Sequence, residues 1–186
     1  MVSETLVTGA RAETDRATLP LRDKMIIAFL GLFLLVSILE AYWLIYHNQM
    51  EQRTDLLARL LSIYWPADKT YRIAGYGPDK AFTLSVESVN TVISQWFNIA
   101  LIYAIVKRKP WRHALQVVLA TYTGYGTFLY YYVAHLSGYA VFERRTVGVF
   151  LMFYLINAPW LLGCAYMVYD SCRAMTQAFR ATQGAT

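Results

Sequence analysis

Cysteine is scarce in this sequence, with two in 186 residues. Cys164 and Cys172 both lie in or beside one apolar segment, so they cannot staple separate elements together, and a disulfide framework is excluded. Histidine is almost as rare. His47, His113 and His135 stand in separate regions without ligand spacing, so no metal signature follows, and no cofactor is called for. There is no Gly-rich phosphate loop, no nucleophile elbow and no internal repeat of fixed period. Charge is sparse too, at 16% of residues against 57% hydrophobic.

What the chain has instead is long apolar runs. Met25 to Tyr46 carries no charge except Glu40, Leu84 to Val106 only Glu87, and His113 to Val133 and Val147 to Tyr169 none. About 20 residues suffice to cross ~30 Å of hydrocarbon at 1.5 Å per residue. The expectation is an all-α integral membrane protein, a four-helix transmembrane bundle spanning at about 25–46, 84–106, 113–133 and 147–169. The membrane domain is expected over 25–178, between an N-terminal tail at 1–24 and a C-terminal tail at 179–186. The first run is longer than a signal peptide's apolar region and follows a polar stretch, so it reads as a retained helix. Within the long connection 47–83, "MEQRTDLLARLLSIYW" puts Leu56, Leu57, Leu60, Leu61 and Tyr64 at helical spacing, which predicts a short amphipathic helix at the membrane surface.

The net charge of +5 does not argue for nucleic acid, because the basic residues sit in the connections between spans. With four spans, the termini and the "KRKPWR" hairpin share one side, and that side holds 10 of the 17 Lys and Arg residues. Both termini are therefore expected to face the cytoplasm.

A carboxylate at mid-bilayer costs about 3 kcal/mol on insertion scales, so an intramembrane acid is neutral, paired or facing a polar cavity. Up-down topology brings Glu40, roughly 9 Å in from the non-cytoplasmic surface, to a depth similar to that of Glu87, roughly 5 Å in. Asn90, on the helix of Glu87, and Asn157, near mid-membrane on the fourth span, supply amides. Trp160 and Tyr125 supply aromatic walls, the latter from the glycine-bearing "TYTGYGTFLYYY". Together these define a lipophilic pocket with catalytic candidates Glu40 and Glu87 and substrate-binding candidates Asn90, Tyr125, Asn157 and Trp160. Asp170, beside Arg173, reads as a structural ion-pair or interface residue, and His135 as a satisfied interfacial side chain.

Four segments, "ILEAYW", "FTLSVES", "KPWRHALQVV...YGTFLYYYVAH" and "NAPWLL...YD", resemble the emopamil-binding protein family, whose members carry the EXPERA domain. The resemblance covers roughly residues 25 to 178. It implies a four-helix membrane fold, an endoplasmic reticulum location and either sterol delta-8 to delta-7 isomerisation or non-catalytic binding of sterols and other lipophilic molecules. By motif, Glu40 and Glu87 match the family's two helix acids, and Asn157 and Trp160 its helix-four "N-A-x-W" positions, where the ring face stabilises cationic character. Two positions depart from the isomerases. Val36 stands where they carry a histidine one turn before the first acid, and Thr127 where they carry an aspartate after "YG". A histidine there would help shuttle the proton. Its loss turns the expectation toward an epoxide hydrolase or cyclase, or an isomerase, of specialised metabolism. Its partners would be the bilayer and a bulky terpenoid or polyketide, with a homodimer allowed and no nucleic acid.

Overall fold

The computed structural model describes residues 18–75 and 77–184, and among these it holds helices and connections but no strand. Six α-helices follow in order: α1 Leu21–Tyr46, α2 Leu56–Ser62, α3 Pro78–Ser88, α4 Ser94–Val106, α5 Arg112–Leu136 and α6 Val147–Gln183. A π-helical turn over Val89–Ile93 joins α3 to α4, so these two form one rod. Local chemistry sets the starts. Pro20 caps α1 with its ring-fixed φ of −61°. The Asp55 side chain accepts from the Ala58 amide at the start of α2, Pro78 opens α3, and Thr146 accepts from the Val149 amide at the start of α6.

Among the described residues, three helical stretches are long and apolar enough to cross a membrane: Leu21–Tyr46, Lys80–Val106 and Val147–Gln183. Their outward faces are apolar. On α1, Leu35 and Ile38 are 64% and 59% exposed, and α6 exposes Leu155 and Leu162 likewise. Apolar faces of this kind on helices of spanning length suit contact with lipid, and the chain is an integral membrane protein. The expected fourth span coincides with α5, whose 25 residues extend roughly 37 Å. Its glutamine, threonines and tyrosines lower its hydropathy, and it is not among the three, so the four-span count stays an expectation. The ends also differ from those expected. Leu21 to Lys24 already belong to α1, and α6 continues to Gln183 through the segment read as a tail. Residues 1–17, the rest of the expected N-terminal tail, lie outside the described residues.

Three apolar cores hold the helices. Ile26, Leu30, Leu101, Ile105, Leu119, Ala120, Cys164 and Met167 join α1, α4, α5 and α6 at one end. Ala134, Val149 and Phe153 join α5 to α6 at the other, with Ala67, Val141 and Phe142 packed from the connections. Two glycines permit the closest approaches. A Cβ on Gly163 of α6 would stand 2.4 Å from the ring of Phe29 on α1, and one on Gly124 of α5 would stand 3.1 Å from Cys164 Cβ on α6.

The third core is the one that builds the site. Trp43, fully buried near the end of α1, packs with Met50, Ala58, Leu61 and Tyr71, and so folds the connection 47–75 down onto the bundle. The expected amphipathic helix is present as α2, with Ala58 and Leu61 buried and Leu56 71% exposed. Buried Lys80 clamps the same connection, its Nζ donating to the carbonyls of His47 and Ile73. These bonds offset the cost of burying an ammonium group.

Candidate functional site

Glu40 sits on the last third of α1 and Glu87 at the end of α3, and their carboxyl groups meet across the interface between these helices. Each residue is half-buried as a whole, while the Glu87 carboxyl oxygen Oε2 is itself buried. The π turn begins two residues beyond Glu87. It carries Asn90, whose side chain approaches Glu87, and Thr91, whose hydroxyl donates to Glu40 Oε2 at 3.2 Å. An extra residue per turn rotates the following side chains relative to a regular helix, which is why such turns recur at functional sites. Gln95 then donates to the Asn90 carbonyl at 2.9 Å, five residues back.

A residue outside the expected set completes the pair. The Tyr71 hydroxyl donates to Glu87 Oε1 at 2.5 Å. Its position is fixed from α1: Trp43 Nε1 donates to the Tyr71 carbonyl at 2.9 Å, and the two rings lie 4.6 Å apart. Burial first, and then the Glu87 and Glu40 carboxyl groups, hold the Tyr71 hydroxyl well above the ordinary tyrosine range, so it remains a donor. Glu87 Oε2 is buried, and the Glu40 and Asn90 side chains face the same carboxyl group.

Beside the pair runs a chain of hydroxyls and amides. Asn157 of α6 donates from Nδ2 to the Tyr64 hydroxyl at 2.8 Å and to the Phe153 carbonyl at 2.8 Å. Tyr64 lies 3.3 Å from the hydroxyl of Tyr130, which in turn donates to Asp68. Asp68 is fully buried and also accepts from the Thr70 amide and hydroxyl at 2.8 and 2.6 Å. Burial, above all, raises the Tyr64 hydroxyl above the tyrosine range, so this chain consists of protonated hydroxyls ending on one carboxyl group. The edge of Tyr64 meets the ring of Tyr71 at 5.7 Å, so this chain adjoins the two acids.

The structure thus brings Glu40, Glu87 and Asn90 together, with Asn157 reaching them through Tyr64. Trp160 is half-buried against Phe29 and Phe33 of α1, with ring centroids 5.7 and 5.4 Å away, one turn from Asn157. Tyr125 is 60% exposed on the outer face of α5, and the tyrosine hydroxyls at the site come from Tyr64, Tyr71 and Tyr130 instead. The charge partner of Asp170 is Arg22, at 3.9 Å, where Arg173 was expected, and Asp170 also accepts from Gln116. His135 meets the Tyr139 hydroxyl at 3.3 Å, as an interfacial side chain should.

Against known families, the sequence pattern named EXPERA (EXPanded EBP superfamily) matches residues 56–171, more than half of the chain. The chain belongs to the EXPERA family. The matched segment contains Tyr71, Glu87, Asn157 and Trp160, while Glu40 precedes it. Among curated proteins, this EXPERA chain is 24% identical over 145 residues to the 3-beta-hydroxysteroid-Delta(8),Delta(7)-isomerase of Rattus norvegicus, covering 76% of this chain and 60% of that protein. It is 23% identical over 145 residues to the enzyme of that name from Mus musculus, with 76% and 60% covered. With the one from Cavia porcellus the identity is 22% over 137 residues, with 73% and 58% covered. The chain therefore spans about 60% of the length of the curated relatives it matches.

Proposed function

We propose that this EXPERA protein is an acid–base enzyme acting inside the membrane on a bulky lipophilic terpenoid or polyketide, with Glu40 as proton donor and Glu87 as proton acceptor. One observation carries the reading: the two carboxyl groups meet, and they are hydrogen-bonded unequally. Glu87 Oε1 accepts a short bond of 2.5 Å from Tyr71, whereas Glu40 accepts a longer one of 3.2 Å from Thr91. A strong donor stabilises the ionised form of its acceptor. The pair is then one carboxylic acid beside one carboxylate, the arrangement in which a proton can be given and taken in one turnover.

Such a pair can isomerise an alkene or open an epoxide, and we assign to it the opening of an epoxide by hydrolysis or cyclisation. Glu40 gives its proton to the epoxide oxygen as the C–O bond breaks. Water, or a hydroxyl of the substrate itself, forms the new C–O bond and gives its proton to Glu87. Passage of that proton from Glu87 to Glu40 across their contact restores the starting state, so the cycle balances with no other reactant. Val36, one turn before Glu40, lacks any proton-carrying group, and this scheme needs none there. Asn157 and the face of Trp160 are assigned to holding the substrate, with Asn90 orienting Glu87.

A second reading is favoured by the names of the relatives. In alkene isomerisation of a sterol, Glu40 would protonate one alkene carbon and Glu87 would remove a proton from a neighbouring position. Residence in the endoplasmic reticulum, cytoplasmic termini and a homodimer belong to the same set of proposals. Membranes containing the protein, incubated in parallel with lipophilic epoxides and with a delta-8 sterol, distinguish the two reactions. Diol or cyclic ether formation supports the first reading, delta-7 sterol the second, and turnover of neither contradicts both.

A further inference from the structure

In the chain of hydroxyls beside the two acids each hydrogen has one place to go, and together they turn the Asn157 amide one way. The Tyr130 hydroxyl donates to Asp68, and a tyrosine has a single hydrogen to give. In its 3.3 Å contact with Tyr64, Tyr130 is therefore the acceptor and Tyr64 the donor. Tyr64 has then committed its own hydrogen, so it accepts from Asn157 Nδ2 at 2.8 Å. The second hydrogen of Nδ2 goes to the Phe153 carbonyl, also at 2.8 Å, and a carbonyl can only accept. Turning the amide over would set its oxygen against that carbonyl and against a hydroxyl with no hydrogen left to offer. Both partners thus fix the same orientation.

What remains of the amide is Oδ1, which has no hydrogen-bond partner among the described residues, on a side chain that is only half-buried. Asn157 therefore offers a ligand an acceptor and no donor. An ether, epoxide or carbonyl oxygen placed there would meet lone pairs and lose its hydration without return, whereas a hydroxyl would be satisfied. Two tyrosines stand between this oxygen and the acids. The edge of Tyr64 meets the ring of Tyr71 at 5.7 Å, and it is Tyr71 that touches Glu87. The side chains bonded to Glu87 are those of Tyr71, Glu40 and Asn90. A hydroxyl received by Asn157 is thus held apart from the carboxyl groups that move protons, and it anchors without reacting.

We infer that the substrate is a lipophilic alcohol, whose non-reacting hydroxyl donates to Asn157 Oδ1, and that Tyr64, Tyr130 and Asp68 are positioning residues that keep the amide turned to receive it. The inference rests on the acid–base reading for what happens elsewhere on the substrate, and it adds the group by which the substrate is held. Sites built to pair with a hydroxyl discriminate strongly against the analogue that lacks it, because the polar groups of the site are then left unpaired. Specificity for an alcohol thus comes from the connection and α5, which carry the three positioning residues, as much as from α6.

The test uses the full chain, purified in detergent, and reads binding without turnover. The probes are farnesol and farnesal, which share a carbon skeleton and differ in having or lacking the O–H. The parent is expected to bind farnesol roughly three- to tenfold more tightly than farnesal, and Asn157→Leu to lose the preference. Tyr64→Phe frees one Nδ2 hydrogen, so its preference should shrink because farnesal binds better, a gain that a merely structural role of Tyr64 would not produce. In Glu40→Gln turnover should be lost and the preference kept. That arm separates the two readings, since a parent that turns over no substrate but prefers the alcohol contradicts only the acid–base enzyme. Equal binding of the two probes, binding of neither, or a preference that survives Asn157→Leu or disappears in Glu40→Gln overturns the inference. Tyr64→Phe weakening both probes alike removes Tyr64 as a positioning residue, and with it the chain to Asp68.

Discussion

The Tyr71 hydroxyl donates to Glu87 Oε1 at 2.5 Å, and it does so from a connection rather than from a spanning helix. Glu87 therefore depends on how the segment 47–75 folds over the end of the bundle. That fold hangs on Trp43, three residues after Glu40 on α1, whose indole nitrogen donates to the Tyr71 carbonyl. One turn of α1 thus supplies an acid and, through Trp43, positions the donor that distinguishes the second acid from the first.

Tyr71→Phe keeps the ring packed on Trp43 and removes only the hydroxyl. A hydrogen bond to a charged group is worth about 1.5–3 kcal/mol, so the account expects kcat to fall roughly 10- to 100-fold on the proposed epoxide substrate while thermal stability changes little. Steady-state kinetics beside a melting curve checks it, and an unchanged kcat would remove Tyr71 from the mechanism.

Trp43→Ala removes both the packing and the indole donor. Truncation of a buried tryptophan costs about 3–5 kcal/mol, and here the loss is expected to free the connection from the bundle. Limited proteolysis within residues 47–77 should become faster, and activity should fall together with stability. A variant as resistant as the parent would show that the connection is held by other contacts.

Gly163→Ala places a methyl group 2.4 Å from the Phe29 ring, and that ring also packs on Trp160. Overpacking of this kind costs about 1–3 kcal/mol. Stability should drop, and pairing it with Phe29→Leu should recover part of the loss by making room. Loss without any recovery would place the conflict elsewhere than at Phe29.

Asp55 gives a pH signature at the start of α2. Its carboxyl group accepts from the Tyr42 hydroxyl, the Ala58 amide and Arg53, with the Tyr42 bond the largest influence, and is held down to about 2. A depressed acid contributes stability above its unfolded value, near 4, and loses it as pH falls toward 2. The stability difference between the parent and Asp55→Asn should therefore shrink on acidification from pH 5 to pH 2. Its exposure to solvent keeps the effect small, and a difference constant over that range would contradict it.

Much of the frame was legible because a helix is a ruler. At 1.5 Å per residue, antiparallel runs place Glu40 and Glu87 at similar depth with no tertiary information, and their side chains do meet. Helical phase was harder. In "GYGTFLYYY", Tyr125 and Tyr130 are separated by five residues, which turns one to the outside when the other faces inward, and only packing decides which; it is Tyr130 that reaches Asp68. Tyr64, Asp68 and Tyr71 were missed for another reason, since the path of a connection carries no period. The one cue was the run of hydrogen-bonding and aromatic residues in "YWPADKTY" next to an apolar helix face. Asp170 illustrates the remaining limit. Its sequence neighbour Arg173 was the natural partner, but Arg22 and Gln116 from other helices meet it instead.

The pairing of Glu40 with Glu87 is the central claim, and exchange of one carboxyl group at a time tests it most directly. Glu40→Gln and Glu87→Gln keep shape and remove the acidic proton or the proton acceptor. Each, purified and shown to melt like the parent, should lose at least about a thousandfold in kcat on the substrate the parent turns over, within the range a general acid or base contributes. The double variant should be little worse than either single one, because the two groups act as a unit. Turnover within tenfold of the parent in both single variants would contradict the account.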